Sequence, residues 1–134
     1  MIEQIKEDYV SFEIAKLLKE KEFKEIVQSL WVGKDEYHYI STESIKPDDY
    51  NSGGTCLYSA PTHQMALKWL REVHDLHIVV YPWQADNEEK AIHWCCTVYK
   101  SFAHLGNDVY TNETPKSYEQ AVEAALKYTL ENLI

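Results

Sequence analysis

Two apolar runs joined by a short polar segment constrain the fold of this chain more than any other feature of its sequence. Residues Ile78–Trp83 and Ala91–Tyr99 are rich in β-branched and aromatic side chains, whereas residues 84–90 between them are largely polar. Two such runs with a short polar connection predict an antiparallel β-hairpin. Pro82 has no backbone N–H to donate to a strand ladder, so we expect the end of the first strand at a sheet edge.

Side chains alternate along a strand, so the predicted hairpin has two faces of different character. One face is the predicted core and carries Ile78, Val80, Ile92, Trp94, Cys96 and Val98. The opposite face carries Val79 and Cys95 together with the residues that we predict to form a binding surface, which are Tyr81, Trp83, His93, Thr97 and Tyr99. Monomeric proteins seldom leave a contiguous aromatic patch in water, so the pattern is typical of a contact surface. A second layer of helices over this face is the alternative.

Three segments have the apolar spacing of amphipathic helices. The first follows Ser11, a favourable N-cap residue, and is expected to break near Lys21 and Glu22. The second is predicted from Pro61 to about His74, with an apolar stripe formed by Met65, Ala66, Trp69, Leu70 and Val73. The third follows Ser117, whose spacing from Gln120 is that of a capping box.

The remaining segments complete the predicted architecture. Residues Phe23–Leu30 also fit a helical template, Tyr37–Ser41 fits a short strand, and Ile45–Ser59 has the Pro, Asp and Gly content of a loop. This order predicts an α+β fold with a small antiparallel sheet, built on the hairpin of the C-terminal half, and three helices packed mainly on one face. A chain of 134 residues can bury enough surface for one such domain, residues 1–134.

Two of the helical segments carry a resemblance. Residues 60–74 (APTHQMALKWLREVH) and 117–126 (SYEQAVEAAL) resemble segments of small uncharacterised proteins carried by prophages and mobile elements of gut anaerobic bacteria. The resemblance implies a phage or mobile-element origin. It implies no activity, because helix capping and packing account for both segments.

Charge and composition argue against nucleic acids and membranes as partners of this protein. The chain has 22 acidic and 13 basic residues, a formal net charge of −9 that is spread along its length, so nucleic acid is not an expected partner. No apolar run approaches the ~20 residues of a membrane-spanning helix, and the first residues lack the pattern of a signal peptide. Three cysteines cannot all pair, which favours reduced thiols. We therefore expect a cytoplasmic protein that does not bind membranes.

Metal binding is the first chemical hypothesis that the sequence raises. His74, His77, His93 and the cysteines are acceptable zinc ligands, but they lack the spacing of a known zinc motif. If the hairpin loop centres near Asn87, Tyr81 lies opposite His93, and His77 is then too far along the ladder to meet His93. We accordingly expect no metal and no other cofactor.

Nucleophilic catalysis is the second chemical hypothesis. Cys56 follows Gly53 and Gly54, and glycines in such a loop allow backbone donors to approach an oxyanion. A histidine such as His63, His74 or His93 would have to serve as the base. The simpler interpretation is a turn followed by a small buried residue.

The sequence therefore favours a non-enzymatic protein that acts by binding a protein partner or by forming a homodimer. Two alternatives remain open at this point. One is a small hydrolase-like enzyme that uses Cys56. The other is a module that binds a small ligand on the aromatic face of the hairpin.

Overall fold

A computed structural model describes residues 4–42, 46–84, 92–100 and 108–134, with residue 108 described by its backbone alone. Within these residues the chain forms three α-helices and two three-stranded antiparallel sheets, which confirms the predicted α+β class. The chain divides into two compact units, Met1–Ala66 and Leu67–Ile134, which are described in turn. That the whole chain forms one domain remains a prediction.

The first unit contains helix α1 and a small sheet. Helix α1 spans Phe12–Glu20, and strands β1 (Leu30–Lys34), β2 (Tyr37–Ser41) and β3 (Leu57–Ser59) form a sheet in the order β2-β1-β3. The side-chain oxygen of Ser11 accepts a hydrogen bond from the Ile14 amide at 3.2 Å, as the sequence predicts for an N-cap residue. Glu22 has a φ of 64°, which ends the helix at the predicted break.

The segment after α1 departs from its predicted structure. Residues 23–29 are not helical, and Leu30–Lys34 is the central strand of the sheet. The helical interpretation of Phe23–Leu30 was therefore wrong, and Ile26, one of the apolar residues that fit the helical template, is 65% exposed. Val27 instead exchanges two backbone hydrogen bonds of 3.0 Å with Asp48. Long-range pairing decides the structure here, and it also converts part of the predicted 45–59 loop into β3.

Helix α2 spans His63–His74 and continues across the boundary between the two units. Its first turn is capped by Thr62, whose hydroxyl accepts a hydrogen bond from the Met65 amide at 3.2 Å. The sequence predicts Pro61 at the first helical position. This prediction was wrong, because Pro61 precedes the cap residue Thr62. The buried face is also rotated from the predicted stripe, since Met65 and Val73 are exposed whereas Leu67 is buried.

The second unit contains the predicted hairpin, extended by a third strand. Strands β4 (Leu76–Trp83), β5 (His93–Lys100) and β6 (Asp108–Asn112) form a sheet in the order β4-β5-β6, so β4, which contains Pro82, lies at an edge of the sheet as predicted. Tyr81 lies opposite Cys95 and Trp83 lies opposite His93. The predicted pairing of Tyr81 with His93 was wrong by two residues. An even shift leaves every side chain on its predicted face.

Helix α3, Tyr118–Asn132, packs on the predicted core face of this sheet. Ser117 caps it by accepting a hydrogen bond from the Gln120 amide at 3.1 Å, while the Gln120 side-chain oxygen accepts from the Lys116 amide at 3.1 Å. The Trp94 ring meets the Tyr118 ring edge-on at 5.6 Å, and the Tyr110 ring stacks on the Tyr128 ring at 3.9 Å. These contacts place α3 over the side of the sheet that carries Trp94.

Burial within this sheet follows strand position as well as face. On the predicted core face Cys96 and Val98 are fully buried, Ile78, Val80 and Trp94 are half-buried, and Ile92 is 60% exposed. On the opposite face Cys95 and Thr97 are also buried. Strand β5 lies between two neighbours, so its short side chains are covered from both sides, whereas the edge strand β4 stays half open.

Candidate binding face of the second sheet

The predicted binding residues share the face of the β4-β5-β6 sheet that α3 leaves uncovered, which we call the aromatic face. It is formed by Val79, Tyr81 and Trp83 of β4 and by His93, Cys95, Thr97 and Tyr99 of β5. Across the two strands Trp83 pairs with His93, and Val79 pairs with Thr97. Because cross-strand neighbours on one face lie within side-chain contact, the pairing brings most of the predicted residues into one row.

Trp83 and His93 form the end of the row nearest the hairpin connection. Their ring centroids lie 5.4 Å apart with an interplanar angle of 35°. The Trp83 indole N–H also donates a hydrogen bond of 3.1 Å to the backbone carbonyl of Glu113, which follows β6. The indole of the edge strand β4 therefore reaches across β5 and is held in one orientation by its two contacts.

Tyr81 lies next in the row, over a line of small polar side chains. A hydrogen bond with the Cys95 thiol is the main cause that raises the pKa of the Tyr81 phenol, followed by the charge of Cys95 and by desolvation. Beneath it, the Cys95 sulfur and the Thr97 hydroxyl lie 3.9 Å apart, and the Thr97 hydroxyl lies 3.5 Å from that of Thr111. The Tyr81 hydroxyl thus belongs to a polar network, while 44% of the residue surface stays exposed.

This network changes the role of one predicted binding residue. Thr97 is only 4% exposed, so its side chain cannot lie on an open surface as the sequence predicted. Its side chain contacts Cys95 on β5 and Thr111 on β6, and both contacts contribute to that burial. Thr97 therefore supports the aromatic face from below.

Tyr99 occupies the far end of the row, away from the Trp83–His93 pair. It lies opposite His77, and a register shift between Val98 and Tyr99 interrupts the pairing of β5 with β6. The His77 ring nitrogen Nε2 lies 2.8 Å from a carboxylate oxygen of Asp75. The structure thus groups Tyr81, Trp83 and His93 and sets Tyr99 apart from them.

Val79 also belongs to the surface, although the sequence pattern predicts no binding role for it. It lies between the two ends of the row and is 45% exposed. Strand alternation had placed it on this face, but its aliphatic side chain is not distinctive in a sequence. An exposed valine beside an exposed tyrosine gives the row an apolar centre.

The described residues contain neither a cysteine–histidine pair at Cys56 nor a set of metal ligands. The only hydrogen-bond contact of the Cys56 thiol there is with the Thr55 hydroxyl at 4.0 Å, so no nucleophile–histidine pair is formed. Across the same ranges no group of three or more His, Cys, Asp or Glu side chains is placed to hold a metal ion. The three cysteines form no disulfide. Burial raises the pKa of the Cys96 thiol, and the charge of Cys95 adds to that shift.

Comparison with family models, with curated proteins and with solved structures finds no match for this chain. The fold and the aromatic face define it as a small α+β protein with an aromatic sheet surface. In the part of the chain that the structure describes, no helix combines the length and the apolar character needed to cross a membrane.

Proposed function

We propose that this protein acts by binding a protein surface, either a second copy of itself or a different partner, through the aromatic face. The observation that carries the proposal is the exposure of Val79 and Tyr81, at 45% and 44%, directly beside the half-buried Trp83–His93 pair. Aromatic side chains that remain partly exposed are enriched where proteins meet, because each buries a large area on contact.

The fixed orientation of the aromatic side chains supports the same function. The Trp83 indole donates a hydrogen bond to the Glu113 carbonyl and lies against the His93 ring, with 5.4 Å between the ring centroids. A side chain that is already ordered loses less conformational entropy when a partner covers it. The face is therefore suited to binding with little rearrangement.

The proposal is tested by removing the two aromatic side chains that strand β4 contributes to this face. We expect Tyr81→Ala combined with Trp83→Ala to abolish self-association, measured by light scattering after size exclusion, or to abolish the capture of a partner from host extract. The matched control is Tyr37→Ala combined with Tyr39→Ala. It also removes two exposed aromatic side chains, 78% and 53% exposed, but on strand β2.

The two double variants must behave differently for the proposal to stand. Wild-type protein and the β2 control should show the same association, while the β4 variant loses it and still gives a folded circular dichroism spectrum. Equal association in all three proteins would overturn the proposal. A wild-type protein that is monomeric and captures no partner would overturn it as well.

A further inference from the structure

A second surface feature lies in the first unit, on the side of α1 that carries two lysines. Lys16 and Lys19 lie one turn apart on this helix and border a cavity of about 340 Å³. The cavity is lined by Lys16, Lys19, Glu20, Thr55 and Tyr58. Its volume is at the lower end of the roughly 300–1,000 Å³ range of pockets that bind small molecules.

Lys19 is held in this wall by backbone carbonyls and an aromatic ring. Its ammonium group donates hydrogen bonds to the backbone carbonyls of Gly54 and Leu57, at 2.5 and 2.9 Å, and lies 4.8 Å from the centre of the Tyr58 ring. Among the described residues, no carboxylate oxygen lies within 4.0 Å of it. Carbonyl dipoles and an aromatic ring are therefore the groups in direct contact with this half-buried ammonium.

Lys16 differs from Lys19 in this respect. Its ammonium group forms an ion pair with Asp35, and it lies 5.6 Å from the centre of the Phe12 ring. The hydrogen bond with Asp35 is the main cause that raises the pKa of Lys16, and Glu20 adds to the shift. Asp35 thus forms an ion pair with Lys16, whereas Lys19 has no ion pair among the described residues.

Two more groups complete the cavity in a way that favours an organic anion. Thr55 is exposed and adds a hydroxyl donor to the wall that holds Lys19. Tyr58 is half-buried, is 5.3 Å from Phe12 in an edge-on contact, and provides an ordered aromatic wall. An ammonium, a hydroxyl and an aromatic wall together match a negative group attached to an apolar body.

We propose that this cavity binds a small organic anion, with its carboxylate or phosphate group on Lys19 and Thr55 and its apolar body against Tyr58. The cavity shares no residue with the aromatic face of the second sheet, so the two proposals are tested separately. Lys19 recognises the charge, Thr55 adds a directional hydrogen bond, and Tyr58 selects for an apolar body.

The site is tested by titrating the protein with four simple probes at low salt. Binding is measured by the change in amide chemical shifts in NMR spectra. Benzoate and phenyl phosphate carry a ring and a charge, benzyl alcohol carries the ring alone, and inorganic phosphate carries the charge alone. We expect saturable shifts at Thr55 and Tyr58 with one or both of the ring-bearing anions, and weaker binding of the other two probes. No saturable shift with either ring-bearing anion up to about 10 mM, or equal binding of benzyl alcohol, would overturn the proposal.

Charge variants separate recognition of the anion from a general electrostatic effect. Lys19→Met keeps the length of the side chain and should weaken binding about tenfold, whereas Lys24→Met removes an exposed lysine of the same unit and should leave it unchanged. An equal loss of affinity in both variants would overturn the proposed site. If Lys19→Met fails to fold because its carbonyl contacts are lost, Thr55→Val provides the test, since it removes only a hydroxyl and should still weaken binding. Unchanged affinity in Thr55→Val would then contradict the proposed contact.

Discussion

Gly33 occupies a backbone position on β1 that no side chain can share. Its φ is +132°, a conformation that L residues rarely adopt, and an added Cβ would clash with the carbonyl oxygen of Tyr37 and the Cα of His38. Both obstacles are backbone atoms of the paired strand, so they cannot move aside cheaply. We expect Gly33→Ala to lower the free energy of unfolding by about 1–3 kcal/mol in chemical denaturation.

Gly53 offers the matched control for that substitution. Its φ is −94°, in the right-handed region, so alanine meets no conformational penalty there. Gly53→Ala should therefore cost clearly less than Gly33→Ala. Equal losses at the two positions would show that the hairpin between β1 and β2 is not built as described.

Burial of the Cys96 thiol makes the free energy of unfolding depend on pH. The Cys96 side chain is fully buried, and burial raises the pKa of the thiol above its value in the unfolded chain. The unfolded chain thus releases this proton at a pH where the folded chain still holds it. The stabilisation that Cys96 provides is fully present below the ordinary thiol pKa of about 8.5. It is lost as the pH rises through the higher pKa of the folded state.

The prediction is checked by measuring the free energy of unfolding by denaturant at several pH values under reducing conditions. We expect it to decline as the pH rises above about 8.5, and we expect Cys96→Val to reduce that decline because valine has no proton to lose. The same slope in the variant and in the wild-type protein would show that Cys96 is not the responsible group.

At the level of single elements, helix α3 depends on its first turn. Ser117 supplies an oxygen that satisfies the Gln120 amide, which has no partner inside the helix. Ser117→Ala should lower the free energy of unfolding by about 1 kcal/mol, whereas Ser117→Asp, which restores an acceptor at the positive end of the helix dipole, should stay close to wild type. A neutral alanine variant in thermal unfolding would contradict the helix start described here.

Elements whose signals are local in the sequence could be predicted. The caps of α1 and α3 depend on residues three apart, and the hairpin of β4 and β5 depends on two apolar runs with one short connection. Strands β1, β3 and β6 have three to five residues each, and their pairing partners are decided by tertiary contacts. Short strands of this kind have no periodicity long enough to distinguish them from loops or helices.

The candidate site was only partly predictable for a related reason. Alternation assigned Tyr81, Trp83 and His93 to the correct face because that property survives a register error of two residues. The depth of each side chain depends on the neighbouring strand. Thr97 is buried because β6 lies beside β5 and supplies Thr111, and no sequence pattern predicted that strand.

At the scale of the whole molecule, the net charge sets the conditions under which the aromatic face can pair with a second copy. Each chain carries a formal charge of −9, and the acidic residues are spread along the sequence, so the net charges of two copies repel each other. Salt screens this repulsion over a Debye length of about 10 Å at 0.1 M, while the contact of aromatic side chains is little affected. Self-association should therefore be stronger at higher salt.

Sedimentation velocity at a series of sodium chloride concentrations checks this dependence. If a second copy occupies the aromatic face, the dimer dissociation constant should fall as salt is raised from about 10 to about 150 mM, and Tyr81→Ala with Trp83→Ala should stay monomeric throughout. A basic protein partner would show the opposite trend, because salt screens an attraction in that case. A dimer that weakens with added salt would therefore require complementary charges at its interface, and it would contradict an association driven by the aromatic face.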